Sequence, residues 1–356
     1  MSNLAINQNL HSAPVASPPQ RPRVVDMIHN ICKVEHYSPK TEKSYIEWIV
    51  RFSNHNNRKP LSQMGRDEVV AFLTHLAVER NVSASTQNQA FAALVTFLYK
   101  KVIPKDLGKI DAVRAKKPKR LPEVFNRSEV QRIISHLYGD FWLMGSLLYG
   151  CGLRLNECLS LRVKDIDFER QVVTVRQGKG KKDRTLPLPH AVAEPLKTHL
   201  AKVAEQHRKD VADGIGVSMP DALDKKYPAA PFSSGWYYIF PARKICTDPR
   251  WAADRPQRHY LHETALQRAV KDAIRAAGVV KQAGCHTFRH SFATHLLEDG
   301  YNVRLVQDLM GHTKLETTMV YLHCMAKDNS VRSPMDGVHM QRGETIKDNL
   351  ERGYYQ

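Results

Sequence analysis

Residues 104–122 gather Lys105, Lys109, Lys116, Lys117, Lys119 and Arg120 among prolines, with few apolar side chains between them. A stretch of this composition has little surface to bury and interrupts helices and strands, so it divides the chain. At 356 residues the chain also exceeds a comfortable single core, and two domains joined by a basic linker over 103–125 are expected. Upstream, hydrophobic periodicity predicts four helices over 24–34, 39–54, 66–79 and 84–101, with Ser38 and Ser83 as N-caps of the second and fourth. Four amphipathic helices make a small bundle spanning 24–102. Residues 1–23, rich in Ser, Pro, Asn and Gln without an apolar core, read as a disordered leader and not a secretory signal.

Charge points to the class of partner. With 53 Lys and Arg against 36 Asp and Glu, the formal net charge is +17, which draws the chain to a polyanion without distinguishing DNA from RNA. No run of about 18 apolar residues is present, so no transmembrane helix is expected. The cysteines at 32, 151, 158, 246, 285 and 324 form no CxxC pair and mostly adjoin apolar residues. They read as reduced thiols of a cytoplasmic protein.

The C-terminal half carries dispersed phosphate-handling residues. In His286-Thr-Phe-Arg289 the imidazole and guanidinium share one face of a helix expected over 286–297. A guanidinium matches two phosphate oxygens in its plane, while an imidazole donates to a third or passes a proton. Leu309-Met-Gly-His312 adds a second imidazole, and Thr317-Thr-Met-Val-Tyr321 supplies a candidate attacking oxygen. Upstream, Gly152-Leu-Arg154-Leu-Asn-Glu157 places an arginine after a largely apolar stretch. It must face a carboxylate or point into a polar cleft, and Glu157 is the partner in a purely structural pair. Two β-prone runs then flank Gly178-Lys179-Gly180, a hairpin whose lysine either reaches a leaving alkoxide or is an ordinary solvated edge.

Two chemistries fall away. The spacing GxxxxGK[ST] is absent, so a nucleoside triphosphate site is not expected. His286 and His290 have the i, i+4 spacing of a zinc helix, but Thr-Phe-Arg stands between them where a metalloprotease carries its glutamate, and no metal is expected. What remains is displacement at phosphorus. Prepositioned cations stabilise the charge that builds on the non-bridging oxygens. A tyrosine hydroxyl, with an ordinary pKa of about 10, needs an acceptor or a strong positive field, and either His286 or His312 suits that role.

From about residue 127 to Tyr321 the motifs GLRxxE, GKGxKxR, HxxRH, LxGH and a final Tyr occur in the order that marks the tyrosine recombinases, and the chain resembles that family. The resemblance implies a mainly α fold with a small β-sheet or hairpin, arranged as a two-domain C-shaped DNA clamp. A helical core-binding domain would precede a catalytic domain over 126–336. It implies that Arg154, His286, Arg289 and His312 grip the scissile phosphate, supported by Glu157. Lys179 would protonate the departing 5′ oxygen and Tyr321 would form a covalent 3′-phosphotyrosine, with no metal or nucleotide cofactor. The partner is then DNA, bound by a homotetramer, with no membrane.

Residues 210–262 are longer than a generic recombinase needs and set aromatics among cations, which suits stacking of unpaired bases or an ordinary core patch. This insert looks like that of the integron integrases, which integrate and excise gene cassettes at folded single-stranded attC and double-stranded attI sites. By position Trp236, Pro249 and His259 match base-packing residues, and the helix expected near 219–227 matches the added one. Gln257-Arg258-His259-Tyr260 departs from the usual Arg-Arg-His-His, so Tyr260 sets a phenol where an imidazole is customary. Ser333-Pro-Met-Asp336 is close to the family's ending, and 337–356 form a polar tail. The competing readings are a phage or Xer-like recombinase acting on duplex sites, a type IB topoisomerase and a non-catalytic architectural DNA-binding protein.

Overall fold

The computed structural model describes residues 23–108, 110, 121–176, 183–220, 223–246 and 256–323, and the chain divides into two compact units between Lys119 and Arg120. The first unit is all helical: α1 (Val24–Val34), α2 (Pro39–His55), α3 (Arg66–Val78) and α4 (Ala84–Phe91), the last running on as a π-helical stretch, Ala92–Val102. The hydroxyls of Ser38 and Ser83 accept from the backbone N–H of Thr41 at 3.1 Å and Thr86 at 3.2 Å, caps worth ~1 kcal/mol each. Ile28, Trp48, Phe52, Phe72, Leu73, Leu94 and Phe97 form the core.

The π-helical stretch replaces the last turns of a helix that the sequence pattern reads as continuous α. Ala93, Phe97, Leu98 and Val102 are all buried, at offsets of four, five and nine residues. Those offsets share a face only when each turn holds more than four residues, because an α-helix would turn the ninth residue to the opposite side. The wider turn thus keeps these four on one face, with Leu94 and Tyr99 buried as well.

Both described ends of the stretch read as a linker are packed. Lys105 Nζ donates to Met64 O at 2.8 Å and Leu107 is buried in the first unit. Within the second, Phe125 packs edge-on against Phe288, and its N–H donates to Ser291 Oγ at 2.9 Å. The basic residues from Lys116 to Arg120 lie outside the described residues.

The second unit begins with α5 (Arg127–Ser135), started by a capping box in which Asn126 and Glu129 exchange hydrogen bonds at 2.8 Å. The next helix, α6 (Gly139–Gly150), is apolar nearly all round and is correspondingly buried. After the short α7 (Leu155–Leu159) come β1 (Ile166–Asp167), β2 (Val172–Val175) and β3 (Arg184–Pro187), an antiparallel sheet in that order. The long α8 (His190–Ala212) leads to a second sheet of β4 (Gly216–Val217), β5 (Pro241–Cys246) and β6 (Gln257–Tyr260), with α9 (Leu223–Lys226) between β4 and β5. β6 is central, parallel to β4 and antiparallel to β5. The chain closes with α10 (Glu263–Ala276), α11 (Cys285–Glu298), α12 (Val303–Met310), α13 (Leu315–Met319) and a tight turn, Val320–His323.

The fold is thus mainly α with small sheets. The sequence pattern announces the β2–β3 hairpin but not the second sheet, whose strands hold only two to six residues and include one parallel pair. Among the described residues, no helix is long and apolar enough to cross a membrane. The core of this unit joins α6, α10 and α11 through Leu143, Leu147, Leu148, Leu266, Val270 and Phe288, and so fixes α11 against the loop before α7.

Candidate active site

Arg154 precedes α7 as its N-cap, and Glu157 folds back on it. The Arg154 N–H donates to Glu157 Oε2 at 2.9 Å, and its guanidinium donates to Oε1 at 2.7 Å. The pair that a structural reading anticipates is therefore formed, but it is not closed. Arg184, from β3, forks onto the same carboxylate at 3.1 and 2.6 Å, and Arg289 from α11 stands 3.9 Å from it. One carboxylate among three guanidiniums leaves a cluster of net positive charge. Burial alone would raise the Glu157 carboxyl, but the Arg184 hydrogen bonds and the Arg154 N–H outweigh it and hold it down at about 2.

The C-terminal end of α12 holds the guanidiniums in place. Gly311 caps that helix in the left-handed region (φ 57°), leaving carbonyls exposed to cations. Arg184 Nε donates to Leu309 O at 2.9 Å, Arg154 points at Gly311 O at 3.3 Å, and Arg289 donates to Met310 O and to Gly152 O. Cations at a helix C-terminus also meet the favourable end of its dipole. Gly152 has φ 60°, and a Cβ there would lie 2.3 Å from the Phe292 ring, so both the backbone and the close packing of α11 require glycine. Burial first, then the neighbouring Arg154, pull Arg289 below its ordinary value to about 9, and it stays cationic at neutral pH.

His312 follows Gly311. Its Nδ1 lies 2.9 Å from Thr318 Oγ1 and its Nε2 lies 3.4 Å from Arg289. A guanidinium only donates, so Nε2 is the accepting nitrogen and the proton sits on Nδ1, facing Thr318. Burial, then Arg289 and Arg154, hold this imidazole neutral, down at about 4.

Tyr321 is only 4 % exposed and packs among Phe292, Ala293, Leu297, Val306 and Met310. Its ring stacks on His312 with centroids 6.1 Å apart, and its hydroxyl lies 2.9 Å from His290 Nδ1. His290 in turn stands edge-on to His286, at 5.8 Å between centroids. Burial, then Arg289 and Arg154, lower the proton affinity of His286. Burial, then His286 and Arg289, bring His290 down to about 4.

Arg154, Glu157, Arg289 and His312 thus form one connected cluster, with Tyr321 stacked on its His312 edge and His286 beside it on α11. Lys179 lies outside the described residues, as do Gly178 and Gly180. The register of β2 on β3 sets Val175 opposite Arg184, which belongs to the cluster. Sequence spacing gives no role to Arg184, although it ends the GKGxKxR motif, and weighs His290 only as a metal ligand. Among the described residues no group of three or more His, Cys, Asp or Glu could hold a metal ion.

Trp236, His259 and Tyr260 come together elsewhere, around a small core of Val203, Val217, Met219, Tyr237 and Tyr238. His259 and Tyr260 rings are 4.1 Å apart, and His259 Nδ1 lies 2.9 Å from Ser218 Oγ. Trp236 is half-buried, and the Lys164 ammonium rests on its face 2.8 Å from the centroid. Pro249 lies outside the described residues. Of the two readings of the aromatics in 210–262, Tyr237 and Tyr238 take that of a core patch, being 1 % and 3 % exposed. Tyr237 donates to Asp210, itself in a buried ion pair with Arg258 from β6, and Tyr238 shares the buried Arg162 with Ser218 O. These two rings are core because their hydroxyls satisfy the ion-paired floor of the second sheet.

Comparison with known proteins identifies the family. Residues 123–327 match the phage integrase family, and 25–109 match the N-terminal SAM-like domain of phage integrases. An integrase/recombinase from Escherichia coli is 43% identical over 333 residues, covering 92% of this chain and 98% of its own length. A tyrosine recombinase from Pseudothermotoga lettingae is 33% identical over 227 residues, covering 63% of this chain and 64% of its own. Among solved structures, XerH bound to its palindromic difH substrate is similar in fold at a TM-score of 0.56, with 20% identity over 85% of this chain and 82% of that one. A lambda integrase dimer bound to a core site gives 0.55, with 17% identity over 83% and 95%. The chain belongs to the phage integrase family, the tyrosine recombinases, and is a site-specific recombinase.

Proposed function

We propose that this recombinase cuts and rejoins DNA through a covalent 3′-phosphotyrosine at Tyr321 and that it is of the integron type, acting on folded single-stranded attC and duplex attI sites. The observation that carries the chemistry is the convergence of Arg154, Arg289 and His312 beside a buried Tyr321, with Glu157 holding the guanidiniums of Arg154 and Arg184. In-line displacement spreads charge over the non-bridging oxygens, and two guanidiniums supply donors already in place, with the neutral imidazoles of His286 and His312 beside them. Lys179 protonates the leaving 5′ oxygen. The phosphotyrosine conserves the broken bond for religation, so neither nucleotide nor metal is required. Four protomers assemble on two sites, in the cytoplasm, with 24–102 and 126–336 both binding DNA.

The second sheet supports the substrate class. It gathers Trp236, His259 and Tyr260 in one patch, and an unstacked base gains about 1 to 3 kcal/mol on such rings. The burial of Tyr237 and Tyr238 leaves fewer ring faces for bases, which favours a second reading, a phage or Xer-like enzyme confined to duplex sites.

A nicked suicide substrate resolved on a denaturing gel tests both. The native chain gives a protein–DNA adduct that Tyr321→Phe does not form, and an adduct in that variant removes the assignment. A bottom-strand hairpin competes with the duplex for the native chain, and Trp236→Ala weakens the hairpin alone. Equal loss on both substrates selects the duplex reading.

A further inference from the structure

The geometry points to His290 as the proton acceptor for Tyr321 in strand cleavage, an inference that rests on the reading of Tyr321 as nucleophile. Two imidazoles, His290 and His312, touch the phenol ring, and a third, His286, touches the first of them. His312 has both nitrogens engaged elsewhere, Nδ1 with Thr318 and Nε2 with Arg289, and it offers Tyr321 the flat face of its ring. His286 is on the exposed side of α11, and its ring meets His290 edge-on. The nitrogen that reaches the phenol oxygen, at 2.9 Å, is His290 Nδ1. Proton transfer needs this contact before it needs any particular proton affinity.

The step balances without a further reagent. The Tyr321 oxygen forms its bond to phosphorus as the bond from phosphorus to O5′ breaks. The phenol proton moves to His290 Nδ1, and O5′ takes a proton from Lys179. Religation returns both.

The setting explains how a nitrogen that is neutral at rest becomes an acceptor when DNA is bound. The charged and titratable groups around His290 are His286 and Arg289 on its own helix, His312 from the loop after α12, and Tyr321 from the last turn. Burial, then His286 and Arg289, disfavour a proton on His290 in the free protein. A scissile phosphate between the guanidiniums brings negative charge that offsets this field, so the imidazolium forms when the substrate is in place. In the free chain the neutral ring holds the phenol protonated.

Single-turnover cleavage of the suicide substrate across pH separates this role from a structural one. His290→Asn keeps an acceptor near Nδ1 but takes no proton. It should slow adduct formation about 100-fold at pH 7, and its rate should climb toward the native one from pH 7 to 9 as hydroxide supplies phenolate. Site binding should stay within a few-fold of native. Installing 2,3-difluorotyrosine at 321, whose phenol is more acidic, should restore part of the rate at pH 7. A deficit equal at every pH, or near-native cleavage at pH 7, overturns the assignment. Should the variant fail to fold, nitrogen-15 histidine spectra of the native chain decide: His290 Nδ1 must be unprotonated at neutral pH and respond to Tyr321→Phe, and a protonated Nδ1 overturns the proposal. An adduct in Tyr321→Phe would instead remove the nucleophile, whatever His290 does.

Discussion

Glu157 shows how a side chain that holds other side chains sets the charge of a site. Its carboxyl, lying at about 2 against an ordinary value near 4.3, is a folded-state pKa that has been lowered. The stabilisation that goes with it is complete above the ordinary value and is lost as pH falls toward 2, an effect on the order of 3 kcal/mol. Glu157→Gln removes the one carboxylate among three guanidiniums and should cost about 3 to 5 kcal/mol at neutral pH. Melting the native chain and the Glu157→Gln variant side by side from pH 6 to 2.5 should show the gap between them closing below pH 4.5; a constant gap would mean that the carboxylate's charge does not hold the cluster. At this scale the sequence was informative where one motif contains both partners, as in Arg154 and Glu157. Arg184 and His290 escaped it because their roles arise from contacts across distances of 27 and 31 residues, which no local spacing encodes.

At the scale of elements, the helices around the site follow from capping and periodicity, and the second sheet does not. Its strands are short, and its organisation depends on buried charge: Arg258 on Asp210 below, and Arg162 donating to Trp236 O, Ser218 O and Tyr238 Oη from the segment after α7. A solitary arginine after Leu161 gives no hint that it braces a strand more than fifty residues later. Arg162→Met keeps the bulk but takes the guanidinium from Trp236 O, Ser218 O and Tyr238 Oη, of which the last two keep their hydrogen bond to each other; an acceptor left unsatisfied costs about 1 to 3 kcal/mol where no water replaces the donor. We expect faster proteolysis within 223–246 and weaker binding of a folded hairpin, while the adduct on a duplex suicide substrate forms at a near-native rate. Equal loss on both substrates would show that the second sheet and the arginine cluster are one mechanical element.

Across the whole molecule, the feature most legible in the sequence was the division into two units, and it was legible because composition changes there. The packed ends of the linker were not, since Leu107 and Phe125 are single apolar residues at the margins of a polar stretch, and only their partners reveal that they are buried. Lys116, Lys117 and Lys119, outside the described residues, still carry charge that can be tested without knowing their conformation. Binding to a polyanion releases condensed counterions, and each phosphate neutralised contributes about 0.9 to the slope of log affinity against log salt on duplex DNA. A chain of net charge +17 should therefore bind its site with a steep slope. If the three lysines lie along the backbone of bound DNA, changing all of them to Gln should reduce the slope by roughly 2 to 3. The loss should be similar on specific and unrelated duplexes, because phosphate contacts carry no base information. Fluorescence anisotropy between 50 and 300 mM salt measures both. An unchanged slope would make the segment a tether alone, and a loss confined to the specific site would mean that it reads sequence or shape.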